Sequence, residues 1–300
     1  MKRKLVKQGT ATLMISLPSR WIKQNNLDKG NEINLEQIDN NLLISAGLVE
    51  TKSETTIKLL DLTESSIRTL ITNTYRTGYD KIKINFYNEE QFKILKNIIN
   101  TRLIGFEVIK KEKDYCIVEN ITEPSADQFD NIINKMFYSI SEFMELTRKR
   151  FEKLSVNDNY EEIENRIQKY DNFCRRIISK KKLSNKKSEL FWNFLALIIH
   201  GQREIYHLNK LLDKTILISK ETKELLNHTI ELFNYIKDGY FKNNIEILSK
   251  VHKIEKELIY KKGYSLLQEK KGKENIIIHH LLTAIREFYQ SNSPLSGIIL

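Results

Sequence analysis

Residues 1–45, MKRKLVKQGTATLMISLPSRWIKQNNLDKGNEINLEQIDNNLLIS, decide how the chain begins to fold. Segments 5–7 and 12–17 flank Gln8-Gly9-Thr10, and segments 32–38 and 42–45 flank Asp39-Asn40-Asn41. Both intervening triplets carry residues that tolerate turn or positive-φ backbone, so two β-hairpins are expected. Between them Pro18 suits the first turn of a short helix, where its missing N–H is harmless. Trp21, Ile22 and Leu27 give that helix an apolar side, and Gly30 is expected to end it.

Charge in this stretch is lopsided. Lys2, Arg3, Lys4, Lys7, Arg20 and Lys23 all precede the first acid at Asp28, whereas Asp28, Glu32, Glu36 and Asp39 fill the second half. A two-stranded ribbon fits the major groove of DNA, and Lys and Arg on it or on an adjoining helix start neutralise phosphates and release counterions. DNA is the leading partner on that ground. The plainer reading, cations that solubilise an edge strand and blunt its aggregation, stands beside it. Size adds a second constraint, because a unit this small usually needs a disulfide, a metal or a partner subunit. The first cysteine is Cys116 and the first histidine His200, which leaves self-association, most simply twofold.

The run KLVKQGTATLMISLPSRWIKQNNLDKGNEINLEQIDNNLLIS, residues 4–45, resembles the swapped-hairpin DNA-binding domain shared by the AbrB, SpoVT and MazE families. The QG turn, the strand running into LP, the leucine before DKG and the closing acidic hairpin match it in order. The resemblance implies an interleaved dimer that binds DNA through the first hairpin and the helix start. By position the DNA-binding residues are Arg3, Lys4, Lys7, Thr10, Arg20 and Lys23. Ser16 departs from the pattern, standing where MazE-like members often carry an arginine.

The chain as a whole has 300 residues, 40 % apolar and 29 % charged, enough for a sizeable core shared among two or three domains. With 49 basic against 39 acidic residues its net charge of +10 favours polyanionic partners. Cys116 and Cys174 are the only cysteines, so neither a disulfide framework nor a zinc knuckle is indicated and a reducing compartment fits. Met1 is followed by Lys-Arg-Lys rather than an apolar segment, and apolar runs such as 194–199 are too short to cross a bilayer. A cytoplasmic protein without membrane insertion is expected.

From 48 to 122 the texture alternates. Strand patterns at 56–60, 81–86, 105–110 and 114–121 and helical spacing over 64–77 and 89–100 predict a small βαβαββ domain. It carries no Gly-rich phosphate loop, so nucleotide chemistry has no support there. A small-molecule sensor and a rigid spacer stand equally open for it. Glu123-Pro124-Ser125 then marks a boundary, with Gln128 completing a capping box. Everything from 123 to 300 reads as helical, with helices expected over 125–154, 160–181, 188–212, 220–241, 243–270 and 274–290. In each set of three the middle helix is the most charged and the last the most apolar, which suggests two stacked three-helix units. The expected fold class is therefore α+β multidomain, in three parts: 1–47, 48–122 and 123–300.

Three-helix units behind such a head resemble the archaeal regulators that join an AbrB-like domain to a PhoU-like tail. Residues 105–140, GFEVIKKEKDYCIVENITEPSADQFDNIINKMFYSI, look like the linker and first helix of that group. The resemblance implies a six-helix PhoU-like bundle, a link to phosphate uptake, and in several members metals held by acidic motifs. The residues here depart from those motifs: Ile167 and Asp171 stand in the second helix, His252, Lys253 and Glu255 in the fifth, and His207 and Gln290 where acids are usual. No cofactor and no metal ligand are assigned accordingly.

His200, Glu204 and His207 lie on one helical face, and a metal site built from them is one reading. A solvated or core-capping pair is the preferred one. His279 and His280 are adjacent and point to different faces. No GxSxG, HExxH or other nucleophile-base pattern occurs, so no enzyme activity is expected. The expected function is a DNA-binding transcriptional regulator of phosphate uptake genes, with a dimeric head and a tail that senses or oligomerises. The alternative is an adaptor whose tail docks on a phosphate transporter or signalling partner while the head only dimerises. A third reading, an antitoxin by analogy with MazE, predicts a disordered toxin-wrapping tail, against which the long helical region speaks.

Overall fold

A computed structural model describes residues 2–9, 12–38, 41–46, 53–59, 63–122, 128–152, 159–181, 187–212 and 216–300. The chain divides into two compact units, Met1–Lys52 and Ser53–Leu300.

The first unit contains strands β1 (Val6–Gln8) and β2 (Thr12–Met14), helix α1 (Ser19–Gln24), and strands β3 (Ile33–Ile38) and β4 (Asn41–Ala46). β1 pairs antiparallel with β2, Lys7 opposite Leu13, and β3 with β4, Leu35 opposite Ile44. Both expected hairpins are present. Gly9 supplies a positive φ of 73° after β1, while Thr10, Asp39 and Asn40 lie outside the described residues. The helix differs from expectation at its end. It closes at Gln24, because Asn26 takes the left-handed region at φ 49° and its N–H reaches Lys23 O at 3.3 Å. The Leu27 N–H then reaches Ile22 O at 3.0 Å. This is a Schellman closure, which a short polar Asn side chain tolerates. Gly30, at φ 94°, serves instead the following turn, where the Asn31 N–H donates to Asp28 O at 3.1 Å.

The second unit opens with a four-stranded sheet. β5 (Glu54–Lys58), α2 (Glu64–Arg76), β6 (Lys81–Asn85), α3 (Glu89–Arg102), β7 (Phe106–Lys111) and β8 (Tyr115–Asn120) follow the expected βαβαββ order. The sheet order is β5-β6-β8-β7, with β5 and β6 parallel and the other pairs antiparallel. α2 is the crossover that parallel pairing requires. Thr63 and Asn88 cap α2 and α3 by accepting the N–H of Ser66 and Gln91. Ile82 and Ile84 of β6, Cys116 and Val118 of β8, Ile67, Ile71 and Tyr75 of α2, and Leu95, Ile98 and Ile99 of α3 make one core.

Long helices follow: α4 (Phe129–Phe151), α5 (Tyr160–Lys181), α6 (Ser188–Leu211), α7 (Lys220–Lys242) and α10 (Gly272–Gln290). Where one helix was expected over 243–270, α8 (Glu246–Lys256) runs through a π-helical turn, Glu257–Gly263, into α9 (Tyr264–Glu269). Asn243 in the left-handed region at φ 49° separates α7 from α8. Gly263 closes the π turn against Leu282, where a side chain would collide: a Cβ there would lie 2.3 Å from Leu282 Cδ2. A further helix, α11 (Asn292–Ile299), was not foreseen. Ser125 of the expected capping box lies outside the described residues.

Aromatic rings fill the helical core, Phe137 stacking with Phe233 at 5.9 Å and with Tyr240 at 5.6 Å. α6 makes its most extensive contact with α10, where the Phe288 ring rests on Gly201 so closely that a Cβ would sit 2.6 Å from it. α5 joins the helices to the α+β layer. Its buried Arg176 donates to Tyr75 O (3.1 Å), Tyr79 O (2.8 Å) and Asp80 Oδ1 (2.5 Å), with its guanidinium over the Tyr75 and Phe106 rings. Lys180 reaches the same Asp80 oxygen at 2.6 Å, and Arg76 of α2 binds Asp171 of α5 at 2.9 Å. The buried charges of Arg176 and Asp171 are tolerated because each has several partners. Among the described residues no helix is long and apolar enough to cross a membrane.

Candidate nucleic-acid interface

Among the described side chains of residues 2–46 none is buried. Leu42 is 69 % exposed and Leu5 64 %, with Val6, Leu13, Ile15, Leu35 and Leu43 all more than half exposed. Cross-strand pairs share a face. Ile33, Leu35, Leu42, Ile44 and Ala46 thus form a single apolar face of the second hairpin. In the first hairpin Val6 and Met14 occupy one side and Lys7 and Leu13 the other. This apolar row was legible as period-two alternation, yet sequence reading singled out the cations instead.

The cations are set around these hairpins. Arg3 and Lys4 precede β1, Lys7 is the middle residue of β1, and Arg20 and Lys23 lie three apart on α1, hence on one side of it. All five are exposed and none makes an ion pair or a side-chain hydrogen bond among the described residues. Thr10 lies outside the described residues. α1 has no acid in its first turn, and Lys23 falls in its last turn where a cation suits the helix dipole. A cationic surface with its charges uncommitted can neutralise a phosphate backbone without first breaking internal pairs.

His200, Glu204 and His207 do not converge: His200 Nδ1 is 3.7 Å from Glu287, whereas Glu204 binds His280 Nδ1 at 2.8 Å. The His280 contact holds the Glu204 carboxyl below its usual range, against the upward push of partial burial. His207 stacks on His280 with ring centres 6.1 Å apart, and burial, then Arg203, lower its pKa. The reason is that α10 packs on α6 and brings its own histidine to Glu204, a cross-helix contact that spacing along one helix does not reveal. Among the described residues no three His, Cys, Asp or Glu side chains gather as a metal site. Cys116 and Cys174 are buried, and burial pushes the Cys116 thiol up to about 12.

Comparison with known proteins bears on the head. Neither the curated proteins nor the solved structures contain a match to this chain. Residues 6–48 match the family described as antidote-toxin recognition MazE, bacterial antitoxin. That match spans both hairpins and α1, and residues 6–48 are accordingly a MazE/AbrB-like domain at the start of an α+β chain.

Proposed function

We propose that the chain is a DNA-binding transcriptional regulator that acts as a homodimer or higher oligomer, the head contacting DNA and the helical region oligomerising or sensing. The observation that carries this reading is a MazE/AbrB-like segment, residues 6–48, in which Lys7, Arg20 and Lys23 are exposed and unpaired, with Arg3 and Lys4 just before it, and in which no side chain is buried among the described residues. Such hairpins gain a core only against a partner, and a second copy is the simplest one. Arg3, Lys4, Lys7, Thr10, Arg20 and Lys23 are the DNA-binding residues in this reading. The βαβαββ layer followed by long helices supports a PhoU-like tail and, through it, control of phosphate uptake genes. No catalytic activity is part of the proposal.

Fluorescence anisotropy of the full chain with AT-containing duplexes, alongside sedimentation, tests it. Dimers that bind duplex with submicromolar affinity at low salt are the expected result. Dimers that ignore DNA overturn the DNA part and select the adaptor alternative. A second reading, an antidote to a toxin, is favoured by the description of the matched family. The regulator reading is preferred because residues from Ser53 onward form a compact unit with its own core, unlike a segment that wraps a partner.

A further inference from the structure

Helices α2, α3, α5 and α6 enclose an open cavity of about 350 Å³ within the second unit. Arg68 and Arg76 of α2, Arg102 at the end of α3, and Arg203 and Lys210 of α6 line it, whereas its lining acid is Glu164 of α5. Two of these cations are committed elsewhere: Arg76 to Asp171 and Asn172, and Arg68 to Glu64. Arg102 and Arg203 make no hydrogen bond or ion pair from their side chains among the described residues. Glu164 is buried and accepts Gln202 Nε2 at 2.5 Å. Gln168, also lining the cavity and 7 % exposed, lies beside Glu164 and favours its ionised form.

Electrostatics within the cavity point the same way. Burial, which outweighs the attraction of Glu164, lowers the Arg102 guanidinium from its ordinary value, and Arg68 and Arg203 lower it further. Burial likewise raises the Glu164 carboxyl, although Gln202 and then Arg102 and Arg203 favour its ionised form. The lining thus concentrates positive charge beyond what its carboxylate offsets, in a partly desolvated place where charge-assisted bonds are strong.

We propose that this cavity binds a small oxyanion of two or more negative charges, held by Arg102 and Arg203 with Lys210 and His207 beside them. Guanidinium forks match the geometry of phosphate, sulfate and carboxylate groups. The volume lies at the lower end for small-molecule sites and exceeds the needs of an inorganic ion, so the charged group can be free or carried on a small organic body. Tyr206 and His207 supply the wall against which such a body would rest. This inference stands apart from the DNA reading and survives its failure.

Calorimetric titration and thermal unfolding of the full chain test it, with inorganic phosphate, sulfate, citrate and glucose 6-phosphate as probes at constant ionic strength. At least one probe should bind one site per chain with a Kd below about 1 mM and raise the unfolding temperature. Inorganic phosphate tighter than glucose 6-phosphate assigns a free ion, and the reverse order assigns an organic carrier. Arg102→Gln and Arg203→Gln should each weaken binding by about tenfold or more. Both arginines also favour the ionised form of the buried Glu164, so the unfolding temperature of each ligand-free variant is read against wild type before affinities are compared. Arg203 is exposed, so its variant stays informative if Arg102→Gln perturbs folding. Absence of binding by every probe at about 10 mM, or affinity retained in the Arg203→Gln variant and in a folded Arg102→Gln variant, overturns the proposal.

Discussion

Removing Lys4 and Arg20 should change how steeply DNA affinity falls with salt. Five exposed, unpaired cations per copy, Arg3, Lys4, Lys7, Arg20 and Lys23, give ten in a twofold head. If all ten sit on phosphates, log K falls against log salt with a slope of about −9, a loss of about 10⁵ in affinity between roughly 50 and 200 mM. Lys4→Ala with Arg20→Ala leaves six, a slope of about −5.4 and a loss of about 10³ over the same range. Anisotropy of a labelled duplex titrated with protein at several KCl concentrations reads both slopes directly. Fewer contacts than ten would lower both values, but the difference between them should stay near 3.6, about 0.9 for each cation removed. An unchanged slope in the double variant would refute the reasoning, as would a wild-type slope near zero. Weaker binding at every salt concentration with no change of slope points to a damaged assembly and also counts against phosphate contacts at these residues.

Other expectations concern assembly and stability. Leu35→Lys with Leu42→Lys places two charges on the apolar face of the second hairpin, so sedimentation should report a 35.5 kDa chain rather than twice that mass, with DNA binding lost together. Arg176→Ala takes the guanidinium donor from the carbonyl of Tyr79, one of two donors from the carbonyl of Tyr75 and one of four from the Asp80 carboxylate, and should destabilise the second unit by about 3 kcal/mol in urea unfolding. Asp80 is pushed up by partial burial, but hydrogen bonds from Lys180 and Ser53 and the Lys180 and Arg176 charges outweigh that and hold its carboxyl below the usual range. Its folded pKa therefore lies below its unfolded one, and its stabilisation is present above about pH 4 and lost as pH falls through the folded value. Urea midpoints of wild type and Asp80→Asn should accordingly converge on acidification below that pH. Gly201→Ala drives a Cβ to 2.6 Å from the buried Phe288 ring and should cost about 1–3 kcal/mol, seen as a lower thermal midpoint.

Local structure was legible where a residue's neighbours in sequence are its neighbours in space. The hairpins, the βαβαββ order and helices such as α5 and α6 declare themselves through turn residues and period two or 3.6. Where backbone closure depends on one Asn the bound shifted at α1, which Asn26 ended by adopting positive φ, whereas the break at Asn243 fell where the polar residues placed it. The π turn at Glu257–Gly263 leaves no mark in an apolar pattern, because one extra residue is absorbed without a break in hydrophobicity. α11 has eight residues and a Pro294 near its start, too short for periodicity to show. The basic hairpin could be read from its own charge order. The cation-lined cavity could not, since Arg68, Arg102 and Arg203 come from three helices and each, taken alone, resembles an ordinary charge on a helix surface.

The seat of Phe288 on Gly201 has a mechanical meaning. Sliding α10 along α6 by one turn, about 5.4 Å, would carry the ring onto Leu197 or Ile205, whose branched side chains fill the depression that glycine leaves open. The two helices are thus indexed like a key in a slot, with one axial setting. Arg203, His207 and Lys210 ride on the same rod within three turns of that index point, so the spacing of the cationic wall is as fixed as the slot itself. Telescoping is closed to this pair as a mode of signal transfer, and any response within it must be a roll or a tilt of both helices together.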